Sequence, residues 1–124
     1  MKKVYLPSKE GSAPLSGAYK VGELIFVSGQ IHADKEWNII GDTIEEKFKI
    51  VINNIKDILA EAGLTLSDII KLNIFLTDLD ELPELNEIYK KYFDHPLPAR
   101  TAIGVKALPL GATLEIEVVA AIKS

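Results

Sequence analysis

TLEIEVVAAI, Thr113 to Ile122, has the two-residue period of a half-buried strand. Leu114, Ile116, Val118, Ala120 and Ile122 share one face, and Glu115, Glu117, Val119 and Ala121 share the other. The first set is a core surface for helices to cover. The second joins two acids to two apolar residues, a poor match to a packed core. This one strand therefore predicts a sheet with one covered face and one face turned to water or to another subunit.

The preceding segment, Arg100 to Ala107, divides the same way, with Arg100, Ala102, Gly104 and Lys106 opposite Thr101, Ile103, Val105 and Ala107. The turn Leu108-Pro109-Leu110-Gly111 joins the two strands. If they are sheet neighbours, Arg100 falls on the face that carries Glu115 and Glu117. Further upstream, apolar residues at Ile44, Phe48, Val51, Ile52, Ile55, Leu59 and Ala62 draw a helical stripe. Asp42 or Thr43 is its expected N-cap, Thr43-x-x-Glu46 is a capping-box pattern, and Gly63 is placed to end it. A second helix is expected over Leu82–Phe93, with Pro83 tolerated in its first turn. Strands are expected at Lys2–Leu6, Ala18–Val21, Leu24–Ser28 and Ile69–Thr77, with a turn at Gly22-Glu23. The order β-β-β-α-β-α-β-β predicts one α+β domain over residues 1–124, two layers thick, with both helices on one face of a mixed sheet.

The composition narrows the function. With a net charge of −4 and no basic cluster beyond a lysine pair, the chain lacks the basic stripe that holds phosphates, so nucleic-acid binding is not expected. It has no cysteine, which removes thiolate chemistry and cysteine metal sites and fits a reducing cytoplasm. No stretch approaches a membrane span, and the opening MKKVYLPSKEG lacks an apolar signal core, so a cytoplasmic protein is expected. There is no phosphate-binding glycine motif, and His32 and His95 form no metal spacing with nearby acids, so both histidines read as structural and no cofactor or metal is expected.

Among 14 basic residues Arg100 is the sole arginine. It is either a structural ion-pair partner of Glu115 or Glu117, or a fork that binds a carboxylate in a bidentate way no lysine copies. Glu115 and Glu117 are either a solvated strand face or, half-buried, an acid that activates water. Tyr19 either packs or donates its hydroxyl to a ligand. Ser28 lies outside a nucleophile elbow, whereas Gly29 permits close approach of a ligand to the backbone. Asn86, beside the apolar stripe of the second helix, reads as a capping or surface group.

Taken together, GAYKVG, VSGQI, LNEIYKKYF, PARTAIGV and LEIEVVA resemble, in order and spacing and over nearly the whole chain, the RidA/YjgF family of reactive-intermediate deaminases. The resemblance implies a chorismate-mutase-like α+β fold and a homotrimer whose sheets form an inner barrel, with ligand clefts between subunits. It implies hydrolysis of 2-imino acids such as 2-iminobutanoate and 2-iminopropanoate, or their enamine tautomers, to 2-oxo acids and ammonia. Those substrates leak from pyridoxal-phosphate dehydratases, which gives the family its functional link to them. By motif, Arg100 clamps the substrate carboxylate, Glu115 holds the attacking water, and Tyr19, Ser28, Gly29 and Asn86 line the cleft, without cofactor or metal. The alternative is a trimeric module that binds small carboxylates such as 2-oxo acids without turnover; an RNA-cleaving activity is a third reading. Two positions depart from the family pattern. Ala18 stands where many members have proline, which loosens the loop that holds Tyr19. Ala102 stands where some have cysteine, which leaves the preferred substrate size open.

Overall fold

The computed structural model describes residues 15–122, so the strand expected at Lys2–Leu6 lies outside the described residues. Five strands and two α-helices follow one another as β1 (Ala18–Val21), β2 (Leu24–Ile31), α1 (Ile44–Glu61), β3 (Ile69–Leu76), α2 (Leu82–Tyr89), β4 (Ala99–Gly104) and β5 (Leu114–Ala121). They form one mixed sheet in the order β1-β2-β5-β3-β4, antiparallel except for the parallel pair β3–β4.

Local chemistry sets the element ends. Gly22, at φ +60°, opens the two-residue loop between Val21 and Leu24, where a mirror-image turn matches the strand twist. Thr43 is the N-cap of α1: its hydroxyl accepts from the Glu46 amide at 3.1 Å, and the Glu46 carboxylate accepts from the Thr43 amide at 2.9 Å. Those backbone donors, Thr43 first and then Asp42, hold Glu46 below the ordinary carboxylate pKa. At the other end Gly63, at φ +74°, lets its own amide reach Ala60 O and the Leu64 amide reach Leu59 O, the paired bonds of a Schellman cap. The second helix stops at Tyr89 instead of Phe93, because the chain from Lys90 onward turns to deliver Phe93 to the core.

The covered face is the one that alternation in β5 predicts. Leu114, Ile116, Val118 and Ala120 are buried with Leu72, Ile74 and Leu76 of β3 beneath Phe48, Ile52, Ile55 and Leu59 of α1. On the other face Val21, Leu24, Phe26 and Ile103 stay 37–45% exposed, and no helix of the described residues covers them.

One expectation fails. β4 and β5 are not neighbours, because β3 lies between them. Arg100 pairs with Leu72 and Ala102 with Ile74, so this set of β4 residues lies on the helix side, while Thr101 and Ile103 share the open face with Asn73 and Phe75. Arg100 and Glu115 therefore leave opposite faces of the sheet.

His32, 2% exposed, is the one buried polar side chain among the described residues. Its Nδ1 lies 2.8 Å from Ile40 O, and its Nε2 accepts from the Thr113 amide at 2.9 Å. A carbonyl only accepts and an amide N–H only donates, so the ring is neutral with its proton on Nδ1. It bolts the loop after β2 to the start of β5, the structural role the sequence suggested. His32→Ala leaves both backbone groups unpaired and opens a cavity; urea denaturation is expected to register a loss of about 2–4 kcal/mol.

Candidate active site

The candidate residues fall into two groups. On the open face, β2 carries a bulge: Val27 pairs with Val118 and Gln30 with Ile116, so Ser28 and Gly29 together stand opposite Glu117. A side chain at Gly29 would overlap the Glu115 carboxylate, so glycine is the residue that admits Glu115 here. Ser28 donates its hydroxyl proton to Ser16 O at 2.6 Å and its amide to Gly17 O at 2.9 Å. These bonds tie the segment that presents Tyr19 to the bulge, which compensates for the proline absent at Ala18, and they commit the Ser28 hydroxyl to structure. Tyr19, Phe26, Ser28 and Glu117 line one open depression of about 390 Å³.

The two acids differ in circumstance. Glu117 accepts from Asn73 Nδ2 at 2.8 Å. Glu115 has no hydrogen-bond partner among the described residues. Burial raises its carboxyl above the ordinary value, and the nearby charge of Glu117 adds to the rise. A half-buried, unpartnered carboxyl with an elevated pKa is suited to holding and deprotonating water. Asn73 escaped the sequence reading. Its signal is an uncharged polar residue between Leu72 and Ile74, at an open-face position of β3.

The second group lies across the sheet. The Arg100 guanidinium carbon stands 4.9 Å from the Tyr89 ring centroid, over its face. Arg100 makes no ion pair or hydrogen bond among the described residues, so the structural pairing with Glu115 or Glu117 is not formed. Asn86, one helical turn before Tyr89, is not a capping group: its Oδ1 is buried, and neither it nor the Tyr89 hydroxyl has a hydrogen-bond partner among the described residues. Two strand spacings and three residues along the strand separate the Cα atoms of Arg100 and Glu115 by about 14 Å, and their side chains diverge. The chain thus places Tyr19 and Ser28 on one depression with Glu117, and Gly29 against Glu115, while Tyr19 itself pairs two strands and four residues away from Glu115. Arg100 lies on the other face over Tyr89, one helical turn beyond Asn86. Among the described residues no three histidine, aspartate or glutamate side chains are grouped to hold a metal ion, and no helix is long and apolar enough to cross a membrane.

The family model described as Endoribonuclease L-PSP matches residues 8–122. The chain belongs to the RidA/YjgF family. Among the RidA/YjgF proteins it resembles, a RutC family protein of Pyrococcus abyssi is 45% identical over 108 residues, 86% of this chain and 85% of that one. A 2-iminobutanoate/2-iminopropanoate deaminase of Dermatophagoides farinae is 33% identical over 89% of this chain and 87% of its own length. In structure, RidA from an Antarctic Psychrobacter superposes with a TM-score of 0.87 at 36% identity, covering 98% of this chain and 100% of that one. Escherichia coli TdcF, solved with bound serine, gives 0.85 at 32% identity over 99% and 100%.

The state of Glu115 sets a stability signature. With its folded pKa raised, the native state holds the proton more tightly than the unfolded chain, so ionising Glu115 costs stability as pH rises through the folded value. Glu115→Gln is expected to melt at a higher temperature than the wild type at about pH 7–8, with the gain closing below about pH 4, where the unfolded carboxyl is also protonated. Melting curves that coincide at every pH would contradict this.

Proposed function

We propose that this protein hydrolyses reactive 2-imino acids, such as 2-iminobutanoate and 2-iminopropanoate, and their enamine tautomers to 2-oxo acids and ammonia. The observation that carries the reading is Glu115, a half-buried carboxyl without a hydrogen-bond partner among the described residues, pressed against Gly29 on a sheet face that no described helix covers. The deaminase named among the relatives supports the substrate class. In the proposed reaction Arg100 binds the carboxylate through two parallel N–H donors. Ionised Glu115 takes a proton from water as its oxygen attacks the protonated imine carbon. Glu115 passes that proton to the nitrogen of the resulting amino-alcohol, the C–N bond breaks to release ammonia, and the hydroxyl gives its proton back to Glu115 as it becomes the 2-oxo group, a proton that then leaves with the ammonia as ammonium. Tyr19, Ser28, Gly29 and Asn86 line the cleft, with Ser28 acting through the bulge it holds and not as a nucleophile.

Because Arg100 and Glu115 leave opposite faces of one sheet, a cleft that uses both takes them from two copies of the chain. This favours a homotrimer whose open faces, with Val21, Leu24, Phe26 and Ile103, turn inward and whose clefts lie between subunits. The cysteine-free composition favours the cytoplasm as its compartment, beside the pyridoxal-phosphate dehydratases that release such imines. A carboxylate-binding module without turnover is the competing reading, favoured by the serine bound in TdcF. The endoribonuclease wording of the family description raises RNA cleavage, but both ring nitrogens of His32 are engaged and the net charge is −4.

The test couples a threonine dehydratase to the purified protein in amine-free buffer and follows 2-oxobutanoate. Wild type is expected to accelerate its appearance, and a folded Arg100→Lys variant to lose about 10- to 100-fold in kcat/KM, since a point charge replaces a charged fork worth about 1.5–3 kcal/mol. Retained 2-oxo acid binding without acceleration would establish the binding module instead. Co-assembling Arg100→Ala with Glu115→Ala subunits is expected to restore about a quarter of the clefts by random assortment around a ring. No recovery would mean that each cleft draws both residues from one chain.

A further inference from the structure

Tyr89, within the LNEIYKKYF stretch, closes α2 and is 6% exposed, and the sequence reading gave it no role in the site. Its ring is held by aromatic contacts: it stacks on Phe93 at 4.5 Å and 26°, and meets Phe48 edge-on at 6.3 Å and 63°. The cation of Arg100 lies over the same ring, 4.9 Å from its centroid. No acid among the described residues pairs with that cation. An aromatic face attracts a guanidinium without consuming its in-plane N–H donors, whereas a carboxylate partner would occupy them. The ring thus attracts the cation, and the N–H donors of Arg100 make no side-chain bond among the described residues.

We infer that Tyr89 is a positioning residue for carboxylate recognition: its ring face orients the Arg100 guanidinium so that the donor edge is presented to the ligand. This rests on the reading of Arg100 as the carboxylate clamp. It also explains why the position tolerates a charge at a core-facing register site opposite Leu72. The ring supplies the attraction that an internal acid would otherwise give, and it does so without competing with an incoming carboxylate. An acid in the same place would bind Arg100 permanently and close the site to anions.

The experiment uses the full chain with 2-oxobutanoate as probe. Because Arg100 is the sole arginine, the protein has one Nε–Hε correlation in a ¹⁵N spectrum, and protons over a ring face carry an upfield ring-current shift. Three substitutions separate the contributions. Tyr89→Phe keeps the ring and drops the hydroxyl. Tyr89→Leu removes the π face. Fluorinated phenylalanines at position 89 drain the negative face at nearly constant size. Tyr89→Phe is expected to keep the upfield shift and bind 2-oxobutanoate within about twofold of wild type, while Tyr89→Leu loses the shift and binds roughly 3- to 30-fold more weakly. The fluorinated series is expected to weaken binding stepwise at unchanged Tm, a trend that packing alone does not produce.

A Leu variant that binds like the wild type, a flat fluorination series, or a Phe variant as weak as Leu would each overturn the inference. If Tyr89→Leu does not fold, the comparison of Phe with its fluorinated analogues decides alone. Failure of this series with Arg100→Ala still abolishing binding leaves the clamp standing. Failure of wild type to bind any 2-oxo acid, with the upfield shift intact, removes the clamp and this inference with it.

Discussion

The structure depends on strict alternation along β5 and along β3 from Leu72 to Leu76. Leu72, Ile74, Leu76, Leu114, Ile116 and Val118 are at most 2% exposed beneath α1, and burying each such side chain is worth about 1.5–3 kcal/mol. Shifting either strand by one residue would carry that whole set to the other face. The register is therefore pinned by the core, and everything on the reverse face is pinned with it. Glu115 and Glu117 do not choose their side of the sheet; the leucine and isoleucine beside them choose it.

The same constraint divides the candidate site. β4 enters as a parallel neighbour of β3, and the pairing of Arg100 with Leu72 sends the guanidinium toward α2. There it finds the Tyr89 ring in place of an acid. Among the described residues, the acids on β5 are left with an amide from Asn73 on Glu117 and no hydrogen bond on Glu115. Two half-sites of opposite charge, each incomplete and on opposite faces, are what a single chain offers. In the proposed assembly a cleft between two copies would join them, and neither half would then have to be neutralised within one chain.

Much of this was legible in the sequence where a local rule acts alone. The Thr43–Glu46 capping box, Gly63 at the end of α1, the Gly22 turn and the alternation in β5 each depend on a few consecutive residues, and the structure bears them out. Strand order was not legible. Nothing local in Arg100 to Ala107 says that β3 will slip between it and β5, so the expected shared face of Arg100 and the acids followed from a false adjacency. The end of β2 was misread for a different reason. Ile25 and Val27 face the core at odd positions, but beyond the bulge the parity reverses: Gln30 pairs with Ile116, and Ile31 with Glu115. A period-two reading stops at that change of parity, at Ser28, although the strand continues to Ile31. Tyr89 was hidden by its own success as a core residue.

The bulge at Ser28 and Gly29 has a further meaning for how such a scaffold diversifies. It is one residue more than the ladder requires. A chain lacking Gly29 would still match Val27 to Val118, Gln30 to Ile116 and Ile31 to Glu115, with Ser28 alone opposite Glu117, in an unbroken ladder. The sheet would keep its hydrogen bonds and its core, while the hollow that admits the Glu115 carboxylate would be gone. Scaffold and chemistry are thus separable by a single codon. A lineage could retire or regain the pocket through one insertion or deletion, at little expense to folding.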